Sequence, residues 1–276
     1  MTERESSSCK PGKMREVLSS WIERTRSSPV VDRFRKRHPA LSGFIERRFS
    51  PHVYLGLHLT VGLLFSALFI WIFVSITDEV LEYDTLVAID HRLTAHIDSI
   101  RFPLADKVMG FVTLLGGGHV LTPMVLGVSA VLLWARKYIL AAGFLIANAG
   151  GSLLVVVLKV VIRRDRPFME YTRFDAAGFS YPSGHAMMAV IFYGMLAYLL
   201  IRAVHMERLR VAIVCVTVFV ILVIGLSRVY LGVHYISDVA AGFAGGLFWL
   251  SICITGLEVY RAKTGERTGA DTGMPD

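Results

Sequence analysis

The sequence predicts an all-α integral membrane protein, a six-transmembrane-helix bundle with an additional amphipathic helix on the membrane surface. Three observations predict it. Of 276 residues, 54% are hydrophobic before glycine is counted and 18% are charged, against about 45–50% with glycine and about 25% in soluble domains. Mean hydropathy is +0.55, and apolar stretches of about 20 residues, enough to cross a ~30 Å hydrocarbon core, recur along the chain. Lys and Arg gather at alternate ends of those stretches, as lipid interfaces select. The formal charge of +7 therefore reads as lipid-facing, and no nucleic-acid partner is expected. Cys9, Cys215 and Cys253 are odd in number and two lie in apolar runs, so no disulfide framework is expected.

Residues 1–52 hold twelve Lys/Arg and six Asp/Glu and read as a basic cytoplasmic arm near anionic lipid. The first apolar run begins too late for a cleaved signal peptide. Tyr54 to Ile76 contains 23 residues without Lys, Arg, Asp or Glu and is the first spanning helix. Seven acids follow between Asp78 and Asp106. Among them Leu86, Ile89, Leu93, Ile97 and Ile100 have helical spacing, which predicts the surface helix. Gly116, Gly117 and Gly118 read as a loop or close-packing site, so the second spanning helix is expected from near His119 to Arg136 and Lys137. Tyr138–Ile162, His185–Ile201, Val211–Leu226 and Ile236–Leu257 supply the remaining four. Residues 53–257 thus form one membrane domain, and 258–276 a cytoplasmic tail.

Six crossings put both termini on one side. The arm, Arg136 and Lys137, Arg202, Arg208 and Arg210, and Arg261, Lys263 and Arg267 together hold twenty of the 29 basic residues. These segments alternate as cytoplasmic loops should. The other, extracytoplasmic face keeps few cations, yet most of those cluster.

Lys159, Arg163, Arg164, Arg166 and Pro167 close the third helix. Lys159, Arg163 and Arg166 stand at i, i+4 and i+7, so a helix continuing to Pro167 would show one cationic face. Arginine forks and a lysine point charge suit a multiply charged anion. The fourth helix opens with Pro182, Ser183, Gly184 and His185. Its free N–H groups and dipole favour an anion, and Gly184 lets one approach the backbone. Ser183 can cap the helix or donate its hydroxyl. His185 can supply a proton near neutral pH. The fifth helix ends at Ser227 and Arg228. Beyond it come His234 and Asp238, at i+4, where the carboxylate can fix the imidazole tautomer and leave the other nitrogen free to attack phosphorus.

In order, Lys159-x6-Arg166-Pro167, Pro182-Ser183-Gly184-His185 and Ser227-Arg228-x5-His234-x3-Asp238 resemble the three-part signature of the type 2 phosphatidic acid phosphatase superfamily. That family includes lipid phosphate phosphatases, undecaprenyl-diphosphate phosphatases, glucose-6-phosphatase and vanadium haloperoxidases. The resemblance covers about residues 55–257, and by the charge census above the active site is expected on the extracytoplasmic face. The resemblance implies that His234 attacks the phosphoryl group to form a phosphohistidine, that Asp238 orients and stabilises it, and that His185 protonates the leaving group. Lys159, Arg166, Ser183, Gly184 and Arg228 would surround the phosphate oxygens. No metal and no cofactor are expected, since the candidate residues lack the grouped carboxylates of a two-metal site. The expected substrate is a lipid phosphate or diphosphate of the phosphatidic acid, phosphatidylglycerol phosphate or undecaprenyl diphosphate class, drawn from a bacterial inner membrane. A lipid phosphotransferase would use the same residues. A transporter is disfavoured, because transporter sites lie near the midplane on broken helices, and the resembling haloperoxidases are soluble.

Overall fold

The computed structural model describes residues 54–82, 84–167 and 178–264, and among them every regular element is helical. The elements are α1 (Tyr54–Glu82), α2 (Asp84–Ser99), α3 (Pro103–Leu114), α4 (Gly118–Trp134), α5 (Tyr138–Ile162), α6 (Gly184–Ala203), α7 (Glu207–Tyr230) and α8 (Ile236–Lys263). The basic arm, 1–52, and the tail beyond Thr264 lie outside the described residues. Everything described from His58 onward belongs to one unit.

Six segments are long and apolar enough to span a membrane: α1, α3 with α4, α5, α6, α7 and α8. Large side chains such as Trp71, Phe111 and Val161 point outward, which is stable only against acyl chains. Hydrophobic burial cannot then hold the helices together, because lipid tails are as apolar as leucine. Close packing and interhelical hydrogen bonds must do so. The core joins α5, α6 and α8 through Phe144, Met187, Ile191, Phe192, Met195 and Leu250. The indole of Trp249 donates to the Ala147 carbonyl at 2.8 Å, tying α8 to α5.

Gly242 and Gly246 let α8 lie against α6. A Cβ at Gly242 would come within 2.7 Å of the Ser183 carbonyl oxygen, and one at Gly246 within 2.9 Å of the Met187 oxygen. The spacing is that of a GxxxG contact. It brings the N-termini of α6 and α8 together, and the Ser183 N–H donates to the Asp238 carbonyl at 2.9 Å.

Three expectations need correction. The second span begins well before His119: Pro103 starts α3, and the chain breaks only at Leu115–Gly117. Glycine is a poor helix former, and the Tyr193 hydroxyl donates to the Leu115 carbonyl at 2.9 Å, satisfying an acceptor that the break leaves open. Ile89 of α2 and Ile100, just beyond its end, are 50% and 55% exposed. The helix instead packs on α7 and α8 with Leu86, Leu93 and Ile97 partly buried and Asp90 fully so. Finally, α8 runs past Leu257 to Lys263. Glu258 accepts from the Tyr198 hydroxyl, and Arg202 of α6 bridges to it, which ties the last turns of α8 to α6.

Candidate active site

The C-terminal ends of α5 and α7 and the N-terminal ends of α4, α6 and α8 meet at one end of the bundle. There the loop after α5 runs beside the loop before α6: the Ser180 N–H donates to the Arg164 carbonyl at 2.8 Å and its hydroxyl to the Asp165 carbonyl at 2.8 Å. The expected cationic face of Lys159, Arg163 and Arg166 does not form. α5 stops at Ile162, and Arg163 takes a left-handed conformation, φ 52°. That turn leaves Arg163 exposed with its Nε on the Val160 carbonyl. It also folds Arg164 and Arg166 back over the bundle.

Lys159 and Arg166 both donate to the Phe179 carbonyl. Arg166 Nε donates to the Gly178 carbonyl at 2.8 Å, and Nη1 to the Val233 carbonyl at 2.8 Å. The same Nη1 lies 3.5 Å from His234 Nε2. Arg166 therefore joins the first motif to the third.

His234 precedes α8 and is not on it. Its Nδ1 is 3.4 Å from Asp238 Oδ2, a long contact of the kind that tightens when substrate is bound. The same oxygen accepts the Tyr235 N–H at 2.9 Å, capping α8. Burial lowers the His234 pKa to about 4, although Asp238 pulls the other way. The ring is neutral at pH 7, with Nδ1 turned to the carboxylate and Nε2 toward Arg166. Asp238 Oδ1 accepts from Arg164 Nη1 at 2.7 Å. Burial works against the Arg164 charge, but Asp238 first and then Asp90 outweigh it and raise its pKa.

Ser183 is the N-cap of α6, yet its hydroxyl makes no capping bond. Its Oγ and Arg228 Nε are buried without a hydrogen-bond partner among the described residues. Arg228 is held instead from the side, its Nη1 donating to Thr113 Oγ1 at 2.6 Å. His185 packs against Gly116 and Gly117, where a Cβ would approach its ring. It is within electrostatic reach of Arg228, His234, Lys159 and Arg166. All eight sequence-predicted residues thus converge. A cavity of about 360 Å³ opens beside His185 and Gly184, lined below by Val155, Leu121, Val125 and Met188.

These motifs have known counterparts. The PAP2 superfamily profile matches residues 138–260. Phosphatidylglycerophosphatase B of Bacillus subtilis is 30% identical over 179 residues, covering 64% of this chain and 88% of that protein. The chain belongs to the PAP2 superfamily. A crystal structure of a PAP2-type phosphatidylglycerolphosphate phosphatase from Bacillus subtilis superposes with a TM-score of 0.64 at 27% identity, over 72% of this chain and 96% of that one. Lipid A 1-phosphatase of Rhizobium johnstonii is 36% identical over 110 residues, 37% of this chain and 41% of that protein. This PAP2 protein is accordingly an integral membrane phosphoric ester hydrolase, related to lipid phosphatases.

The motifs miss three residues that the structure draws into this PAP2 site: Arg164, Asp90 and Thr113. Arg164 lay in view beside Arg163, but only the left-handed turn decides which of the two faces inward. Asp90 carried a signal, since Leu86, Asp90, Leu93 and Ile97 fall at i, i+4, i+7 and i+11, a tighter helical face than the stripe through Ile89. Thr113 had none.

Proposed function

We propose that this protein is a metal-independent lipid phosphatase that works through a phosphohistidine at His234. One observation carries the reading. Ser183 Oγ and Arg228 Nε are buried without partners among the described residues, close to Lys159, Arg166 and two imidazoles, and unpaired buried donors clustered at one site call for a ligand that completes them. A tetrahedral oxyanion supplies the missing acceptors.

The neutral His234 Nε2 attacks phosphorus. The bond to the leaving oxygen breaks with its electron pair, and His185 protonates that oxygen. Asp238 stabilises the cationic ring that results. Lys159, Arg166, Arg228, the Ser183 hydroxyl and the Gly184 N–H hold the remaining phosphoryl oxygens as charge builds. His185 then takes a proton from the water that releases phosphate and the free histidine.

The site lies at helix ends, at head-group depth, and the apolar cavity beside His185 accepts a tail while the phosphate stays at the mouth. The extensive likeness to phosphatidylglycerophosphatase B favours phosphatidylglycerol phosphate over phosphatidic acid and undecaprenyl diphosphate. The test is phosphate release by purified protein from a panel of these three lipids. Phosphatidylglycerol phosphate is expected to turn over fastest and His234→Ala to be inactive. Retained turnover in His234→Ala overturns the mechanism. Among the described residues no three His, Cys, Asp or Glu side chains cluster as metal ligands would. Activity is expected to survive EDTA, and its loss on chelation, restored by a divalent metal, counts against the assignment.

A further inference from the structure

Resting on the reading of His234 as nucleophile, we infer that Asp90 of α2 is a positioning residue for the reaction, which acts through Arg164 to orient Asp238 and to keep its charge available to His234.

Asp90 is 1% exposed. Its Oδ1 accepts the Ser237 N–H at 3.2 Å. Its Oδ2 accepts the Ser237 hydroxyl and Arg164 Nη2 at 2.8 Å. The other arm of the same guanidinium, Nη1, donates to Asp238 Oδ1 and to Ser237 Oγ, each at 2.7 Å. The guanidinium lies 4.3 Å over the Tyr235 ring, which fixes its plane. Asp238 is thereby divided in use: Oδ1 belongs to Arg164, and Oδ2 is left for the Tyr235 N–H and His234 Nδ1.

A buried arginine facing Asp238 alone would cancel its charge and leave little for the imidazole. Asp90 prevents that by taking the second arm. Two carboxylates share one guanidinium, so the group carries one net negative charge while His234 is neutral. When Nε2 bonds to phosphorus and the leaving oxygen departs with the His185 proton, the His234 ring gains one positive charge and the buried group becomes neutral. The intermediate, rather than the resting enzyme, is then the electrostatically balanced state, which is where stabilisation accelerates the reaction. A residue that only pinned α2 to the bundle would not need this pairing with the guanidinium that holds Asp238.

The experiment uses the full-length protein in detergent micelles with dioctanoyl phosphatidic acid as substrate. Inorganic phosphate and orthovanadate serve as competing ligands. Phosphate reads the oxygen contacts of the ground state, and vanadate, which takes a fifth bond from the histidine, reads the transition state. For Asp90→Asn, kcat is expected to fall roughly tenfold or more with KM within about twofold. Vanadate should weaken in step with kcat while phosphate affinity stays. Asp90→Glu should recover part of kcat. Arg164→Lys, which keeps the charge but cannot span both carboxylates, should give the same split and serves if Asp90→Asn does not fold. An unchanged kcat, or parallel loss of kcat, vanadate and phosphate binding, overturns the inference. If wild-type protein hydrolyses no lipid phosphate but the variants still separate vanadate from phosphate, the phosphatase reading fails and this one stands.

Discussion

His234 is 2% exposed, and an imidazole removed from water holds its proton weakly. With the pKa lowered to about 4, the nucleophile is in its neutral form at every pH above that value and is lost only as the pH falls through it. The expected kcat/KM profile, which reports the free enzyme, loses activity on the acid side only as the pH falls through about 4. An acid limb at the ordinary histidine value of about 6.5 would contradict this role. Ser183 makes a second case. Its hydroxyl has no partner to lose in the resting protein, so Ser183→Ala should leave the melting temperature unchanged. Activity should nevertheless fall by about 2.7–4 kcal/mol in transition-state stabilisation, the usual effect of removing one preorganised donor. An unaltered kcat/KM would show that the hydroxyl faces no phosphate oxygen. At this scale the eight motif residues were legible because each sits in a short pattern whose chemistry is local. Asp90 was legible only as a position on the Leu86–Ile97 face, because its partners Arg164 and Ser237 lie 74 and 147 residues away, and a long-range ion pair leaves no periodicity that would name them.

The helices themselves were legible from apolar length, but their ends were not, and the site is made of ends. Whether the arginines beyond Lys159 form a helical face or a loop depends on one left-handed residue, Arg163. Nothing in the sequence Ile162-Arg163-Arg164 forces that conformation; the loop packing with Ser180 selects it. Likewise the break between α3 and α4 was visible as three glycines, whereas α3 itself was hidden among acids that read as a surface segment. What holds the ends in register is the contact of α6 with α8. A methyl group at Gly242 would meet a backbone oxygen of Ser183 at 2.7 Å, and backbone cannot swing aside as a flexible side chain can. Gly242→Ala is therefore expected to push the N-termini of α6 and α8 apart. Overpacking of this kind is worth about 1–3 kcal/mol, and the strain falls on the Ser183–Asp238 link. Melting temperature and kcat should both fall. Gly256→Ala, at a position on α8 with nothing within reach of the added methyl, should change neither. Equal behaviour of the two would show that the α6–α8 approach is not tight.

For the whole molecule, the distribution of charge sets a direction that the helices alone do not. The two ends of the bundle differ in kind. At one, cations face inward around His185 and His234. At the other, Arg202 bridges Glu258 at 2.5 Å, and Arg136, Lys137, Arg208 and Arg210 stand exposed at helix ends. Lys and Arg near span ends resist translocation, and twenty of the 29 lie in the segments on the second end's side of the predicted topology, so that end is expected to be cytoplasmic. On that expectation the site faces the extracytoplasmic side and takes its substrate from the outer leaflet. The check uses a protein with Cys9, Cys215 and Cys253 replaced by Ser. Arg163→Cys, exposed beside the site but outside its hydrogen-bond network, or Lys137→Cys at the opposite end, is then introduced. In intact spheroplasts a membrane-impermeant maleimide is expected to label position 163 and to reach position 137 only after permeabilisation. The reverse pattern would place catalysis on the cytoplasmic face, and the basic residues of the chain would then mark the enzyme's mouth rather than its anchor.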